Sequence, residues 1–438
     1  MEKKKFIVNT ALLTGSSLMM SCIGMAYQVW LVGRIGAAGI GLYQLVIAVM
    51  GLGATVAISG IRFAVTRLVS EEIGLGRGAG VGGAMARCAG YSAFFGLSAG
   101  AIMWLIAQPV GFLWVGDART VLSLKIMAFS LPLISMCSVI SGYFTACGRV
   151  WKPALIHLAE QLFGIGLSAF LLYRSPAGDI EKNCAAVVTG GLGADALSFL
   201  LLSAAYFVDR RKHCVSGGAG TRQTARMLGI AMPLAVSAYA RSALGTIEHL
   251  LVPRGLKAAG YTADSALAGY GVIQGMVLPI VLFPSCLLCA LAEMIVPELT
   301  RAQVSGGKSI PATVSSTLTK SFGYSLAVAA FMFIFSDKLG LSIYHSAEAG
   351  HYIRLLSPLI PIMYTDTAID GCLKGLGQQV WSMGINILDA LVSVVLVWFL
   401  LPEYALGAYI AIIYFSEFLN FALSLARLCR VMKKGPPD

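Results

Sequence analysis

The sequence predicts an all-α integral membrane protein of twelve transmembrane helices, arranged as two pseudo-symmetric six-helix bundles. Three observations lead there. Of 438 residues, 57% are hydrophobic and only 12% are charged, where a soluble domain carries about 25% charged residues. With a mean hydropathy of +0.79, the chain has too little polar surface to clothe a water-soluble globule, so the bilayer is its main solvent. The apolar residues also gather into runs close to the ~20 residues that a helix needs to cross the hydrocarbon. Finally, the chain repeats itself. Moving residues 130–160 along by 229 positions sets Pro132 on Pro361, Gly142 on Gly371, Gly148 on Gly377 and Glu160 on Asp389. Internal repeats of this kind are the sequence sign of a transporter whose site lies between its halves.

Taken in order, the predicted spans are 6–33, 39–61, 85–108, 121–143, 153–173, 185–208, 227–252, 266–294, 317–336, 353–376, 380–401 and 404–428. The first follows Lys3-Lys4-Lys5 and runs to Gly33, too long for the apolar region of a secretory signal, so it reads as an uncleaved spanning helix. Between the second and third spans, Gly78-Ala79-Gly80-Val81-Gly82-Gly83 matches G-x-G-x-x-G. It follows a membrane helix rather than a strand, and reads as a flexible cytosolic loop. The fourth and tenth spans carry the repeated early proline and the Gly-x-x-x-x-x-Gly ending. Pro132, Pro233, Pro279, Pro284, Pro358 and Pro361 lie within spans, as tolerated kinks or as hinges. Cys286 and Cys289 form C-x-x-C in the eighth span. With no second pair or nearby histidine they read as packing residues rather than as a metal or redox motif.

The longest polar stretch begins at Asp209-Arg210-Arg211-Lys212-His213 and divides the chain nearly in half. It sets the expected organisation: an N-lobe at 1–208, a cytosolic linker at 209–226 and a C-lobe at 227–438. The net charge of +11 would suggest nucleic acid in a soluble protein. Here it sits in alternate loops and no nucleic-acid partner is expected. With the N-terminus inside, cytosolic segments hold 21 Lys and Arg residues and outer segments 8. That bias places both termini in the cytosol of a multi-pass protein of the cytoplasmic membrane, with anionic lipid head groups as secondary partners.

The chain contains no H-E-x-x-H, Walker motif or Cys/His cluster, so neither an enzyme nor an ATP-driven pump is expected. The informative residues are charges inside spans. Each costs about 2.5–3.5 kcal/mol at mid-bilayer on insertion scales, so it should face the interior and have a reason to be there. Arg241 lies in the middle of the seventh span, with Glu248 two turns on. The tenth carries Asp366, Asp370 and Lys374 on one face, with Asp370 and Lys374 spaced to pair and Asp366 left to meet Arg241. Glu160 and Asp389 are the repeat-related acids of the fifth and eleventh spans. Arg62 lies near the inner end of the second and Glu417 within the twelfth. Arg34, Arg67, Lys125 and Lys374 lie close enough to helix ends to snorkel. A structural salt bridge is the competing role for the deeper groups.

Several segments resemble one family. Gly36-Ala37-Ala38-Gly39-Ile40-Gly41-Leu42-Tyr43-Gln44-Leu45, the run from Gly60-Ile61-Arg62 to Glu71, the stretch Arg241 to Arg254, Phe283-Pro284-Ser285 and Ile295-Val296-Pro297-Glu298-Leu299 are similar to the polysaccharide exporters related to stage V sporulation protein B. These belong to the multidrug, oligosaccharidyl-lipid and polysaccharide exporter superfamily, kin to lipid II flippases and MATE transporters. The resemblance implies two lobes in a V around a central cavity, alternating access, and Arg62, Arg241 and Arg254 as head-group positions. The chain departs from the flippases in its first span, where Asn9 and Gln28 are the larger polar groups and there is no arginine. Nor does that span carry the acid often used for coupling by multidrug members.

The expected function is translocation of a lipid-linked oligosaccharide or cell-wall precursor by a monomer with no resident cofactor. Arg62, Arg241 and Arg254 would bind the head group. Glu248, Asp366, Asp370, Lys374, Glu160 and Asp389 would serve as coupling or cavity ion pairs, with Na+ or H+ as candidate coupling ions. The alternative is an H+- or Na+-coupled multidrug or metabolite antiporter of the MATE type.

Overall fold

The computed structural model of the protein describes residues 2–75, 78–176, 178–213, 223–304 and 310–434. Residues 214–222 of the expected linker and the extreme C-terminal residues 435–438 lie outside the described residues. Among the described residues all regular structure is helical. The order is α1 (Glu2–Ile58), α2 (Ile61–Gly74), α3 (Gly78–Pro109), α4 (Thr120–Ala128), α5 (Ser130–Ala146), α6 (Trp151–Arg174), α7 (Ile180–His213), α8 (Gln223–Ala258), α9 (Ala263–Gly271), α10 (Leu278–Leu282), α11 (Cys286–Val304), α12 (Ile310–Tyr344), α13 (Ala347–Leu356), α14 (Ile360–Gly375) and α15 (Gln379–Lys434). Short π turns follow α3 and α9, and single 3-10 turns precede α11 and α14.

Each of the twelve predicted spans falls on helix, and the chain is an all-α multi-pass membrane protein. Among the described residues, eight helices are long and apolar enough to cross a bilayer, or nine if the bent pair α4–α5 is one span. The 57 residues of α1 would rise about 85 Å as one helix, far more than the ~30 Å of hydrocarbon. It is in fact two helices, separated at Gly36 (φ 71°, ψ 177°). The 56 residues of α15 are likewise divided at Ala405 (φ 51°, ψ −137°). The fourth span is α4 and α5, bent by 40°, and the tenth is α13 and α14. Two of the breaks inside spans contain a proline: the 3-10 turn Phe283–Ser285 holds Pro284 and the turn Ser357–Leu359 holds Pro358. Proline removes a helical N–H and crowds the preceding turn.

Two sequence expectations need correction. The second span was bounded at residue 61, but its helix breaks earlier, at Ser59 (φ 45°) and Gly60 (φ 68°), and then continues as α2 to Gly74. Hydropathy locates the charged Arg62 but is blind to a backbone break. The stretch Gly78–Gly83 is not a loop, because α3 begins at Gly78. At Gly80 a Cβ would run into the Glu72 carboxylate, so the glycine there permits a close approach rather than flexibility.

By contacts the chain forms two compact units, residues 1–20 with 45–246 and residues 21–44 with 247–438. This division rests on packing, whereas the expected lobes rest on the repeat and the linker. The core of the first unit is built from Ile61, Val65, Leu68 and Val69 of α2, Met85 and Cys88 of α3, Ile140, Tyr143 and Phe144 of α5, Leu202 of α7 and Ala231 of α8. The core of the second joins Ile295 and Leu299 of α11, Val314 of α12, Ile369, Cys372 and Leu373 of α14 and Leu428 of α15. Gly142 of α5 lets α2 approach, since a Cβ there would lie 3.0 Å from the Arg62 carbonyl oxygen. Gly371 of α14 does the same for α11, where a Cβ would lie 2.8 Å from that of Ala292.

The repeat is reproduced bond for bond at the turn ending each Gly-x-x-x-x-x-Gly segment. After α5, Cys147 N donates to Tyr143 O (3.0 Å), Gly148 N to Thr145 O (3.1 Å) and Arg149 N to Phe144 O (2.9 Å). After α14, Leu376 N donates to Cys372 O (3.0 Å), Gly377 N to Lys374 O (3.1 Å) and Gln378 N to Leu373 O (2.8 Å). Every partner is displaced by the same 229 positions. Gly148 and Gly377 both occupy the left-handed region, at φ 68° and 73°, the usual glycine stop of a helix.

Candidate functional site

In the first unit two arginine-bearing segments are tied side by side. The Thr55 hydroxyl donates to Ser242 Oγ at 3.2 Å, and Ser59 Oγ hydrogen-bonds the Tyr239 hydroxyl. Thr246 Oγ1 donates to Ala48 O at 3.0 Å. Arg62 follows Ser59 by three residues, and Arg241 lies between Tyr239 and Ser242. Both side chains are exposed. Arg254, on the part of α8 that belongs to the second unit, is exposed as well. Among the described residues none of these three guanidinium groups has an ion-pair or hydrogen-bond partner. An unpaired guanidinium offers its five donors to a planar or tetrahedral anion.

The acids of the second unit form a connected group. On α14, Asp370 pairs with Lys374 (Oδ2–Nζ 2.5 Å), the i,i+4 pair expected from spacing, and accepts a hydrogen bond from Ser382 Oγ. One turn earlier, Asp366 Oδ1 is buried with no hydrogen-bond partner among the described residues. Asp389 Oδ1 accepts from Ser416 Oγ at 2.7 Å. Glu417 lies close enough to feel the charges of Asp366 and Asp389, and Glu248 that of Asp389. Asn386 and Asn420 add a further polar contact at 3.3 Å. Two cations of this unit are engaged, Lys374 on Asp370 and Arg427 on Gln378 Oε1 (Nη2 2.6 Å, Nε 3.1 Å). The second unit thus holds a carboxylate-rich polar interior.

The first unit is arranged differently. Glu160 Oε2 meets His157 Nδ1 at 2.9 Å, and Asp195 of α7 lies within electrostatic reach of it. Asp209, near the end of α7, is buried. It accepts from the Tyr143 hydroxyl (3.0 Å), Lys152 Nζ (2.8 Å) and Arg149 Nη1. Asp195 was missed from sequence although it obeys the rule that singled out Glu160, a lone acid inside an apolar span. Asp209 was read only as the start of the linker. Ser416, Asn386 and Asn420 give no signal in a single sequence. Outside the spans, Asp179 precedes α7. The Lys182 N–H donates to its Oδ1 at 3.1 Å and the Lys182 ammonium lies 3.0 Å from its Oδ2. These contacts, the backbone bond first, hold its carboxyl below the usual carboxylate range.

The MatE family model matches residues 13–170 and 256–399 of this chain. Stage V sporulation protein B of Bacillus subtilis (strain 168) is 23% identical over 419 residues, covering 93% of this chain and 80% of that protein. Sporulation protein YkvU of the same organism is 22% identical over 391 residues, covering 86% of each. Among solved structures, the inward-facing conformation of a multidrug resistance MATE family transporter of the MOP superfamily superposes with a TM-score of 0.69 at 15% identity, covering 94% of this chain and 96% of that one.

Proposed function

The chain belongs to the MatE family of membrane transporters, and from that premise we propose that it translocates a lipid-linked oligosaccharide or cell-wall precursor across the cytoplasmic membrane by alternating access. The moving parts are the N-lobe 1–208, the linker 209–226 and the C-lobe 227–438, with both termini in the cytosol and a monomer as the working unit. The observation that carries the reading is the pair of exposed, unpaired arginines, Arg62 and Arg241, on neighbouring segments of one unit. A diphosphate head cannot enter hydrocarbon without compensation for lost hydration. Two guanidinium groups supply that compensation through charge-assisted hydrogen bonds, and the lipid tail stays in the bilayer. Arg254 meets the head group further along its path.

The acids take the coupling role. Asp366, Asp389 and Glu248 bind H+ or Na+ in alternation with the substrate, Asp370 and Lys374 neutralise one another beside them, and Glu160 does the equivalent work in the first half. Reconstituted vesicles test the proposal. Wild-type protein should move a fluorescent undecaprenyl diphosphate saccharide between leaflets, and Arg241→Ala should abolish this while still inserting into the membrane. Normal translocation by a well-expressed Arg241→Ala protein would refute the assignment.

The unpartnered Asp366 Oδ1 favours one second reading, an H+- or Na+-coupled antiporter of drugs or metabolites. Efflux of an organic cation driven by a pH or Na+ gradient, with no saccharide movement, would establish that reading instead.

A further inference from the structure

The break at Ser59–Gly60 is held from two sides. Ser59 adopts φ 45°, a left-handed conformation that a residue with a Cβ rarely takes, and such strain persists only where the surroundings impose it. The Tyr91 hydroxyl of α3 donates to Ser59 O at 3.2 Å, and the Tyr239 hydroxyl of α8 meets Ser59 Oγ. Gly60 presses directly on α8: a Cβ there would lie 2.6 Å from Ala231 O. Three turns along α2, Glu71 Oε2 accepts from Arg226 Nη2 of α8 at 2.5 Å, and its Oε1 from Arg67 Nε at 3.2 Å. Between the tyrosine clamp and the ion pair, Ala231 is fully buried. The seam of α2 against residues 226–242 therefore has a strained pivot at one end and a charge contact at the other. Between them lie buried apolar side chains, Ile61, Val65 and Leu68 of α2 and Met227 and Ala231 of α8.

We propose that this seam is a gate, pivoting at Ser59–Gly60 and latched by Glu71 and Arg226. In the state described here it is closed. Opening swings the α2 segment away from residues 226–242, releases Ser59 from Tyr239 and separates Glu71 from Arg226. Straightening of the break supplies part of the driving force, because Ser59 then leaves its unfavourable conformation. The latch itself is weak: Glu71 is 29% and Arg226 53% exposed, and ion pairs in that range contribute little each. A weak latch suits a gate that must open many times. Arg62 sits just past the pivot, so the same movement carries a proposed head-group arginine with it. In that respect the inference rests on the transport reading, but its test uses no substrate.

A cysteine at the buried position 231 reports opening. Ala231→Cys protein in vesicles is treated with N-ethylmaleimide, and labelling at residue 231 is followed by peptide mass spectrometry. Adding Arg226→Glu should speed labelling about two- to five-fold, the range of an exposed ion pair, while Arg226→Lys should stay within two-fold of the parent. Gly60→Ala should speed it more, since its Cβ cannot coexist with Ala231 O. Arg67→Gln, which removes only the contact within α2, should leave the rate unchanged. The gate is overturned if Arg226→Glu labels no faster than the parent, or if Arg67→Gln speeds labelling as much as Arg226→Glu does. Failure of saccharide transport with these labelling rates intact would instead sink the substrate reading and leave the gate standing.

Discussion

The turn after α5 and the turn after α14 share three backbone hydrogen bonds and a left-handed glycine, yet they are tied to the rest of the fold by opposite charges. In the first, the turn supplies the cation: Arg149 and Lys152 reach Asp209 on α7. In the second, position 378 holds a glutamine where the repeat places Arg149, and the cation comes from the distant helix, as Arg427 of α15 donates to it. Each tie fastens the turn to the last helix of its half. The backbone is fixed because a left-handed residue and a close helix approach leave few alternatives, at Gly142 and Gly371 as much as at Gly148 and Gly377. The side chains that fasten it can exchange roles because only a complementary pair is needed. The acids follow the same pattern: Glu160 meets a histidine and Asp389 a serine.

The largest test of this comparison is Asp209→Ala. It removes three donors' common acceptor from a buried site, but Arg149 and Lys152 are 30% and 22% exposed and water reaches them. The loss should be about 2–3 kcal/mol rather than the 3–5 of a fully buried pair, read by equilibrium unfolding in mixed micelles. Gly148→Ala and Gly377→Ala come next. A Cβ at either would meet nothing within 4 Å, so the penalty is backbone strain alone, about 1–2 kcal/mol in each. Costs that differ by more than ~1 kcal/mol would show that the turns are not energetically alike. Gln378→Ala should cost about 1.5 kcal/mol, the low end for a hydrogen bond to a charged group, and so less than Asp209→Ala. An equal loss would break the contrast between the two ties.

The smallest effect concerns Asp179, whose carboxyl is held below its ordinary value. A depressed carboxylate stabilises the fold above its unfolded pKa of about 3.9, and the contribution disappears as the pH falls through the lower folded value. Asp179→Asn should lower stability slightly at neutral pH, leave it unchanged below the folded pKa, and so flatten the acid limb of the stability profile.

The fold was legible because a bilayer imposes coarse rules. Runs near 20 residues give the spans, and twelve apolar runs fell on helix. The repeat was legible because Gly148 and Gly377 each meet a steric demand that no other residue meets cheaply. The breaks were less so. Pro284 and Pro358 announce theirs, but the one at Ser59 depends on Tyr91 and Tyr239, which lie far along the chain. Of the site, Arg62 and Arg241 stood out as charges in apolar runs, and the pairing of Asp370 with Lys374 followed from helical spacing. Asp195 obeyed the same rule and was passed over. The serine partners of Asp370 and Asp389 carry no charge to betray them, and Asp209 lay at a boundary where an acid reads as solvated.

The central claim is that Arg62 and Arg241 hold an anionic head group, and binding tests it most directly. Native mass spectrometry of the detergent-purified protein, titrated with an undecaprenyl diphosphate saccharide, would compare wild type with Arg62→Ala and Arg241→Ala. The account predicts at least a ten-fold weaker association for each variant, since each loses a charge-assisted contact of about 1.5–3 kcal/mol, while zwitterionic lipid binds all three alike. Equal affinity for the diphosphate in all three proteins would contradict it.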